Sequence, residues 1–250
     1  MKAMVFAAGL GTRLRPLTED RPKALVTLGG RTLLEIALIR LKAFGVDEAI
    51  VNAHHFASQI VSFLTANRNF GMRIEVSREE TLLDTGGGLK KAAWFFLEPG
   101  ADADKPFLVH NVDVLSSIDL ARMVAFHRNQ DALATLAVQS RATSRPLLFD
   151  AEGRLVQRAI AAKSAAAPDG SLQSHEPLAF SGIHVVSPRI FAKLDEEGVF
   201  PIVEAYLRLA NQGERILGFR ADGAYWRDLG RPDHLRDAEC DLASGRYPEG

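Results

Sequence analysis

The residues best equipped for chemistry stand within the first 26 positions. The apolar pair Val5-Phe6 runs into Ala7-Ala8-Gly9-Leu10-Gly11-Thr12, and three cations follow at Arg13, Arg15 and Lys23, with Pro16 and Pro22 between them. Small residues and glycines after a buried strand let backbone approach a ligand closely. Cations beside exposed backbone N–H groups suit a polyphosphate, and the prolines stiffen the path between them. Further along, Leu83-Asp84-Thr85-Gly86-Gly87-Gly88 reads as a second glycine-rich loop opening a helix, whose unpaired N–H groups offer another place for an oxygen-rich ligand. Asn111-Val112-Asp113 follows the apolar stretch Phe107–His110, which puts Asp113 at a strand's C-terminal end, where open α/β sheets bind ligands.

Two familiar phosphate loops do not fit. A dinucleotide fingerprint starting at Gly9 and Gly11 needs its third glycine where Leu14 stands, which counts against an NAD-dependent oxidoreductase. The string Gly-x-x-x-x-Gly-Lys is absent, which counts against an ordinary P-loop ATPase.

The elements that must position these residues follow a βαβ pattern. The opening strand gives way to a helix over Thr32–Lys42 ended by Gly45, a strand at Glu48–Asn52, a helix over Ala57–Asn67 and a strand at Met72–Ser77. That order predicts a parallel sheet covered by helices. The triple-glycine helix is expected to run to Phe96, with Trp94, Phe95 and Phe96 as core residues. A helix over Asp119–Gln130 and a strand over Ala132–Gln139 come next. Pro146–Asp150 and Arg154–Ala159 form a hairpin about Glu152-Gly153. Lys163–Ser174 is an irregular loop over the site, Phe180–Val186 a strand containing Gly182, and helices near Pro188–Glu196 and Pro201–Asn211 follow. Strands near Arg215–Phe219 and Ala224–Arg227 lead into a last helix, Asp233–Ser244.

The chain of 250 residues is long enough for a sizeable core, and its 47% apolar and 24% charged residues suit a folded domain. With a net charge of −1 there is no global basic field for nucleic acid or an anionic membrane. The lone Cys240 makes no internal disulfide and suits a reducing compartment. No stretch approaches the roughly 18 apolar residues of a membrane span, so the expectation is a cytoplasmic protein without a membrane partner.

Ala7 through Val26 resembles the signature of the sugar-1-phosphate nucleotidyltransferases, Ala-Ala-Gly-x-Gly-x-Arg-Leu-x-Pro-Leu-Thr followed by Pro-Lys. Asn111-Val112-Asp113 is similar to that family's Asn-Gly-Asp, Trp226-Arg227-Asp228-Leu229-Gly230 to its Trp-x-Asp-x-Gly, and Phe180-Ser181-Gly182-Ile183 to its sugar-lining segment. The resemblance is nearest to short uridylyltransferases acting on N-acetylmuramate 1-phosphate, with mannose-1-phosphate guanylyltransferase the alternative. It implies a Rossmann-like three-layer αβα fold, α/β with a mostly parallel mixed sheet and a small sugar-binding lobe. A single domain would span 1–250, with a nucleotide-binding core over about 1–140, a sugar-binding part over about 141–230 and a C-terminal helix over 231–250.

The implied activity is transfer of a nucleotidyl group from an NTP, UTP favoured, to a sugar 1-phosphate, with Mg²⁺ held by Asp113 and Asp228. Arg13 and Lys23 would join those aspartates in catalysis. Ala7, Ala8, Gly9, Gly11, Thr12, Arg13, Gly86, Gly87 and Asn111 would hold the nucleotide, and Gly182, Ser181 and Asn111 the sugar. Val112, where glycine is usual, is expected to crowd the approach to Asp113. His110 is read as orienting Asp113, His54 and His55 as lining the pocket or capping a helix, His175 and Glu176 as closing over the sugar, and Lys163, by resemblance to some relatives, as meeting the sugar's phosphate. The expected assembly is a monomer or homodimer. A reading of another class is a catalytically silent nucleotide-sugar sensor or regulatory subunit, against which the presence of Arg13, Lys23, Asp113 and Asp228 together argues.

Overall fold

The computed structural model describes residues 1–100, 105–159 and 175–247. Lys163 and the irregular stretch Lys163–Ser174 lie outside the described residues. Strand β1 (Lys2–Phe6) is followed by the short pair β2 (Thr27–Leu28) and β3 (Arg31–Thr32), helix α1 (Leu33–Ala43), β4 (Glu48–Ala53), α2 (Ala57–Ala66) and β5 (Arg73–Arg78). Then come α3 (Asp84–Lys91), α4 (Ala93–Phe96), β6 (Phe107–Asn111), β7 (Val114–Ser116), α5 (Leu120–Asn129) and β8 (Ala134–Gln139). The hairpin β9 (Leu147–Phe149) and β10 (Leu155–Arg158) leads to β11 (Glu176–Val186), α6 (Ile202–Asn211), β12 (Ile216–Arg220), β13 (Trp226–Asp228) and α7 (Pro232–Ala243).

Among the described residues nine strands make one sheet. β5, β4, β1 and β6 run parallel, as the βαβ order requires. β11 then enters antiparallel, paired with β6 on one side and β8 on the other, and β12 adds parallel to β8. The sheet is therefore mixed, and it continues across residue 140 without a break.

Alternation along β1 separates the two cores. Ala3, Val5 and Ala7 pack with α1, α2, α5 and α7, whereas Met4 and Phe6 face α3, α4 and α6. Local signals place the helices: Thr32 caps α1 by accepting from the Glu35 amide at 3.1 Å, and Asp119 caps α5 by accepting from Arg122 at 2.9 Å. Gly45, at φ +96°, closes α1 as expected.

Two expectations are corrected. The triple glycine lies inside α3, and the helix breaks at Ala92 before the single turn α4. Of the aromatic trio, Phe95 and Phe96 are buried, while Trp94 is 51% exposed. No helix among the described residues is long and apolar enough to cross a membrane.

Candidate active site

The first wall of the site is the loop after β1. Ala7 and Ala8 are buried, and the Ala7 amide donates to Asn52 Oδ1 at 2.7 Å. Gly9 is open: a Cβ built there meets nothing within 4 Å. Gly11 takes φ +64° and starts the tight turn Thr12–Leu14, and its carbonyl accepts from the Leu14 amide at 2.8 Å and from Thr18 Oγ1 at 2.9 Å. Leu14 is fully buried and pins that turn, an anchor worth about 2 kcal/mol. Arg13, beside the anchor, is thereby held in the lining of a cleft of about 990 Å³. Lys23 opens a second tight turn, Lys23–Leu25, and is 8% exposed.

The two aspartates meet through a ribbon the sequence does not announce. β7 pairs antiparallel with β13, setting Val114 opposite Asp228, and the Leu229 amide donates to the Asp113 carbonyl at 2.7 Å. Lys23 Nζ donates to Asp113 Oδ2. Asp228 Oδ1 accepts from the Gly230 amide at 3.0 Å, and His234 Nδ1 lies 2.9 Å from the Asp228 carbonyl. A Cβ on Gly230 would stand 2.9 Å from Asp228 Oδ1, 3.0 Å from Arg13 Nη2 and 3.3 Å from Lys23 Nζ. Three charged groups thus converge over one glycine, and Asp113 joins them through Lys23.

The opposite wall comes from β8, β11 and β13. Gly182 is at φ +73°, and a Cβ there would lie 2.8 Å from Asn111 Nδ2, so both backbone conformation and close approach require glycine. Ser181 is fully buried; its hydroxyl is 3.4 Å from Gln139 Oε1 and its carbonyl accepts from the Trp226 indole at 2.8 Å. Ser181 lines the cleft and seats Trp226. The cleft lining holds six arginines, Arg13, Arg141, Arg145, Arg158, Arg227 and Arg231, against two aspartates, Asp84 and Asp228. Arg227 and Arg158 are paired with Asp241 and Glu204 outside the lining, and the positive charge that remains suits two phosphorylated reactants together.

Residues 2–149 match the family described as Nucleotidyl transferase. This chain belongs to the nucleotidyl transferase family. It is 34% identical to an N-acetylmuramate alpha-1-phosphate uridylyltransferase of Caulobacter vibrioides, over 96% of each protein. It is 30% identical to a mannose-1-phosphate guanylyltransferase of Mycobacterium tuberculosis, over 98% of this chain and 66% of that protein. The fold matches a UDP-glucose pyrophosphorylase complexed with UDP-glucose, at TM-score 0.78, 18% identity and coverage of 98% and 99% of the two chains. A UDP-glucose pyrophosphorylase from Acinetobacter baumanii superposes at TM-score 0.76 and 19% identity, covering 99% of this chain and 94% of that one.

In this nucleotidyl transferase the second glycine stretch behaves unlike the first. The Gly86 and Gly87 amides donate to the Phe200 carbonyl at 2.9 and 3.2 Å, and Thr85 Oγ1 accepts from the Ile202 amide at 3.0 Å, so α3 and α6 cap one another. The expected unpaired N–H groups at Gly86 and Gly87 are already engaged. The glycines admit close packing instead: Cβ atoms would overlap Phe200 at Gly86 and the Gly198 carbonyl at Gly87, and one on Gly88 would lie 2.8 Å from Glu79 Oε1. Asp84 and Thr85, just ahead of them, do line the cleft.

A buried polar chain supports both glycine stretches. Asn52 accepts from Ala7 and donates to Glu79 Oε1 at 2.7 Å, while Glu79 Oε2 accepts from the Leu83 amide at 3.0 Å. Neither Asn52 nor Glu79 was singled out in the sequence, nor were Arg141 and His234. The signal was available for the first three: Asn52, Glu79 and Arg141 lie at or just past the C-terminal ends of β4, β5 and β8, the position that marked Asp113.

Other expectations shift. Val112 is buried in the core with α1 and α5, so it does not crowd Asp113. His110 is buried with Nδ1 on the Asn111 carbonyl at 2.8 Å and does not orient Asp113. Burial, aided by the Arg40 charge, lowers its pKa to about 4. His184, on the cleft floor with Nδ1 2.7 Å from Tyr206 Oη, is lowered by burial to about 3, and burial pushes the Tyr206 phenol up. His54 Nδ1 meets the Glu79 carbonyl at 2.8 Å, His55 packs on Phe56, and Glu176 pairs with Arg220; with His175 they lie outside the cleft lining. Arg15 is exposed and also lies outside it.

Proposed function

We propose that this chain transfers a nucleotidyl group from an NTP to a sugar 1-phosphate, forming an NDP-sugar and releasing pyrophosphate. The convergence of Arg13, Lys23 and Asp228 over Gly230 carries this reading. A sugar-phosphate oxygen attacks the α-phosphorus while pyrophosphate departs in line, so no covalent nucleophile is needed. Positioning two anionic reactants and neutralising their charge suffices. Arg13, projecting from the glycine loop, faces the triphosphate, and Lys23 meets the phosphate at the reacting centre.

The donor set also suits Mg²⁺. Among the described residues no three histidine, cysteine or acidic side chains form a metal cage. Two carboxylates, Asp113 and Asp228, match an ion that keeps waters and takes phosphate oxygens as its other ligands. They would hold it, and when bound it supplies charge neutralisation at the α-phosphate. Chelation with EDTA should abolish turnover, and Mg²⁺ should restore it.

The relative in Caulobacter vibrioides favours UTP and N-acetylmuramate 1-phosphate, and the one in Mycobacterium tuberculosis keeps GTP with mannose 1-phosphate as the second reading. We take residues up to about 140 as the nucleotide-holding part and about 141–230 as the sugar-facing part. We further read the protein as cytoplasmic, a monomer or homodimer, without nucleic acid or membrane partners; light scattering reads the mass. A pyrophosphate-release assay of the four NTPs against a panel of sugar 1-phosphates tests the activity and names the pair. Silence across the panel with Mg²⁺ present would overturn the enzyme reading in favour of a nucleotide-sugar sensor.

A further inference from the structure

Cations enter the cleft from two sides. Arg13 and Lys23 come from the glycine loop and meet at Gly230. Arg141 comes from the other side, in the connection after β8, and is held rigidly. Its guanidinium lies 3.5 Å over the Trp226 ring, and its Nη2 donates to the Phe180 carbonyl at 2.8 Å. Trp226 is itself fixed by its indole N–H on the Ser181 carbonyl. Arg141 Nε is buried and has no hydrogen-bond partner among the described residues.

Arg141 is half-buried, but its Nε is shut from water, and such a donor is ordinarily met by a carboxylate or carbonyl because leaving it unmet costs about 1–3 kcal/mol. Here one donor is left over in a group that lines the cleft. Burial works against the Arg141 charge, while the Asp228 charge works for it. Trp226 and Asp228 alternate on β13 and leave the same strand face. Trp226, which carries the stacked guanidinium, is two residues from Asp228 on the same short strand.

We infer that Arg141 binds the phosphate of the sugar 1-phosphate and holds its attacking oxygen on the side of the cleft opposite Arg13 and Lys23. The inference rests on the nucleotidyl-transfer reading. In that reaction a bond forms between the sugar-phosphate oxygen and the α-phosphorus as the bond to pyrophosphate breaks, and the electron pair leaves on pyrophosphate. Attack comes from the face opposite the leaving group, so the incoming dianion needs a cation on its own side. A planar guanidinium already stacked and hydrogen-bonded presents its remaining donors with little further loss of side-chain freedom.

Trp226 provides the reporter. The chain has two tryptophans, and Trp94→Phe at the exposed one leaves Trp226 as the sole indole. Titration of that variant with α-glucose 1-phosphate should change its fluorescence saturably, whereas methyl α-glucoside should not. Adding Arg141→Ala should weaken the sugar-phosphate response about 30-fold, and Arg141→Lys about 10-fold. UTP affinity should stay within about twofold in both, which also reports an intact fold. With the pair that the panel identifies, KM for the sugar 1-phosphate should rise while that for the NTP holds. Unchanged sugar-phosphate affinity in Arg141→Ala, no Trp226 response in the parent, or weakened UTP binding instead would each overturn the inference. A Trp226 response lost with Arg141, in a protein without turnover, would keep the binding assignment and sink the transfer reading.

Discussion

The chain carries two glycine clusters beside one cleft, and they use the missing side chain for opposite purposes. At Gly9 the space where a Cβ would sit is empty, and backbone stands open to whatever enters. At Gly86, Gly87 and Gly88 that space is already filled by Phe200, the Gly198 carbonyl and the Asn52–Glu79 pair. One cluster leaves room for a ligand, and the other lets α3 press against the chain entering α6. Glycine richness alone does not separate the two uses; the neighbour across the gap does.

Substitutions break this comparison at different points. Gly87→Ala drives a Cβ into the Gly198 carbonyl, a backbone atom that cannot rotate aside. Its unfolding free energy in urea should fall by about 3 kcal/mol, and an unchanged midpoint would refute the packing account. Lys23→Ala acts on the open side, where the ammonium bridges Asp113 and the Gly230 junction. It should cost at least about a hundredfold in kcat/KM, or about 2.7 kcal/mol of transition-state stabilisation. Near wild-type turnover would remove Lys23 from the reacting centre.

Next comes pH. His110 and His184 are buried neutral, with folded pKa values near 4 and 3, below the ordinary 6.5. Their stabilising contribution is complete above about pH 6.5 and declines as pH falls, because the unfolded chain takes up the protons first. Each should remove about 2 kcal/mol between pH 6.5 and 5. Urea titrations should show the slope, and His184→Gln should flatten it; an undiminished slope would mean that other groups set it. The smallest effect belongs to Gly9→Ala, which meets no atom within 4 Å. Stability should move by less than about 0.5 kcal/mol, while KM for the NTP rises, and a stability loss as large as that of Gly87→Ala would erase the distinction.

Legibility in the sequence followed the range of the interaction. The helices over 33–43, 57–66, 120–129 and 232–243 were expected to within a residue or two, since caps and apolar spacing act within a few positions. A strand was expected where β13 lies, but its pairing with β7 went unread because β7 has three residues, too short for a pattern, and the two strands are far apart in the sequence. His110 was assigned a role from its place beside a motif, yet its side chain is buried outside the cleft lining, whereas Ser181 lines the cleft.

By itself the sequence determined the open loop from Gly9 to Lys23, the parallel βαβ half and the family, because these rest on residue types at short fixed spacings. Only the tertiary structure decided that Asp113 and Asp228 share a site, that the triple glycine is a packing surface, and that Arg141 is clamped on Trp226. Those outcomes depend on which distant segments the sheet brings into contact, and no local spacing encodes that.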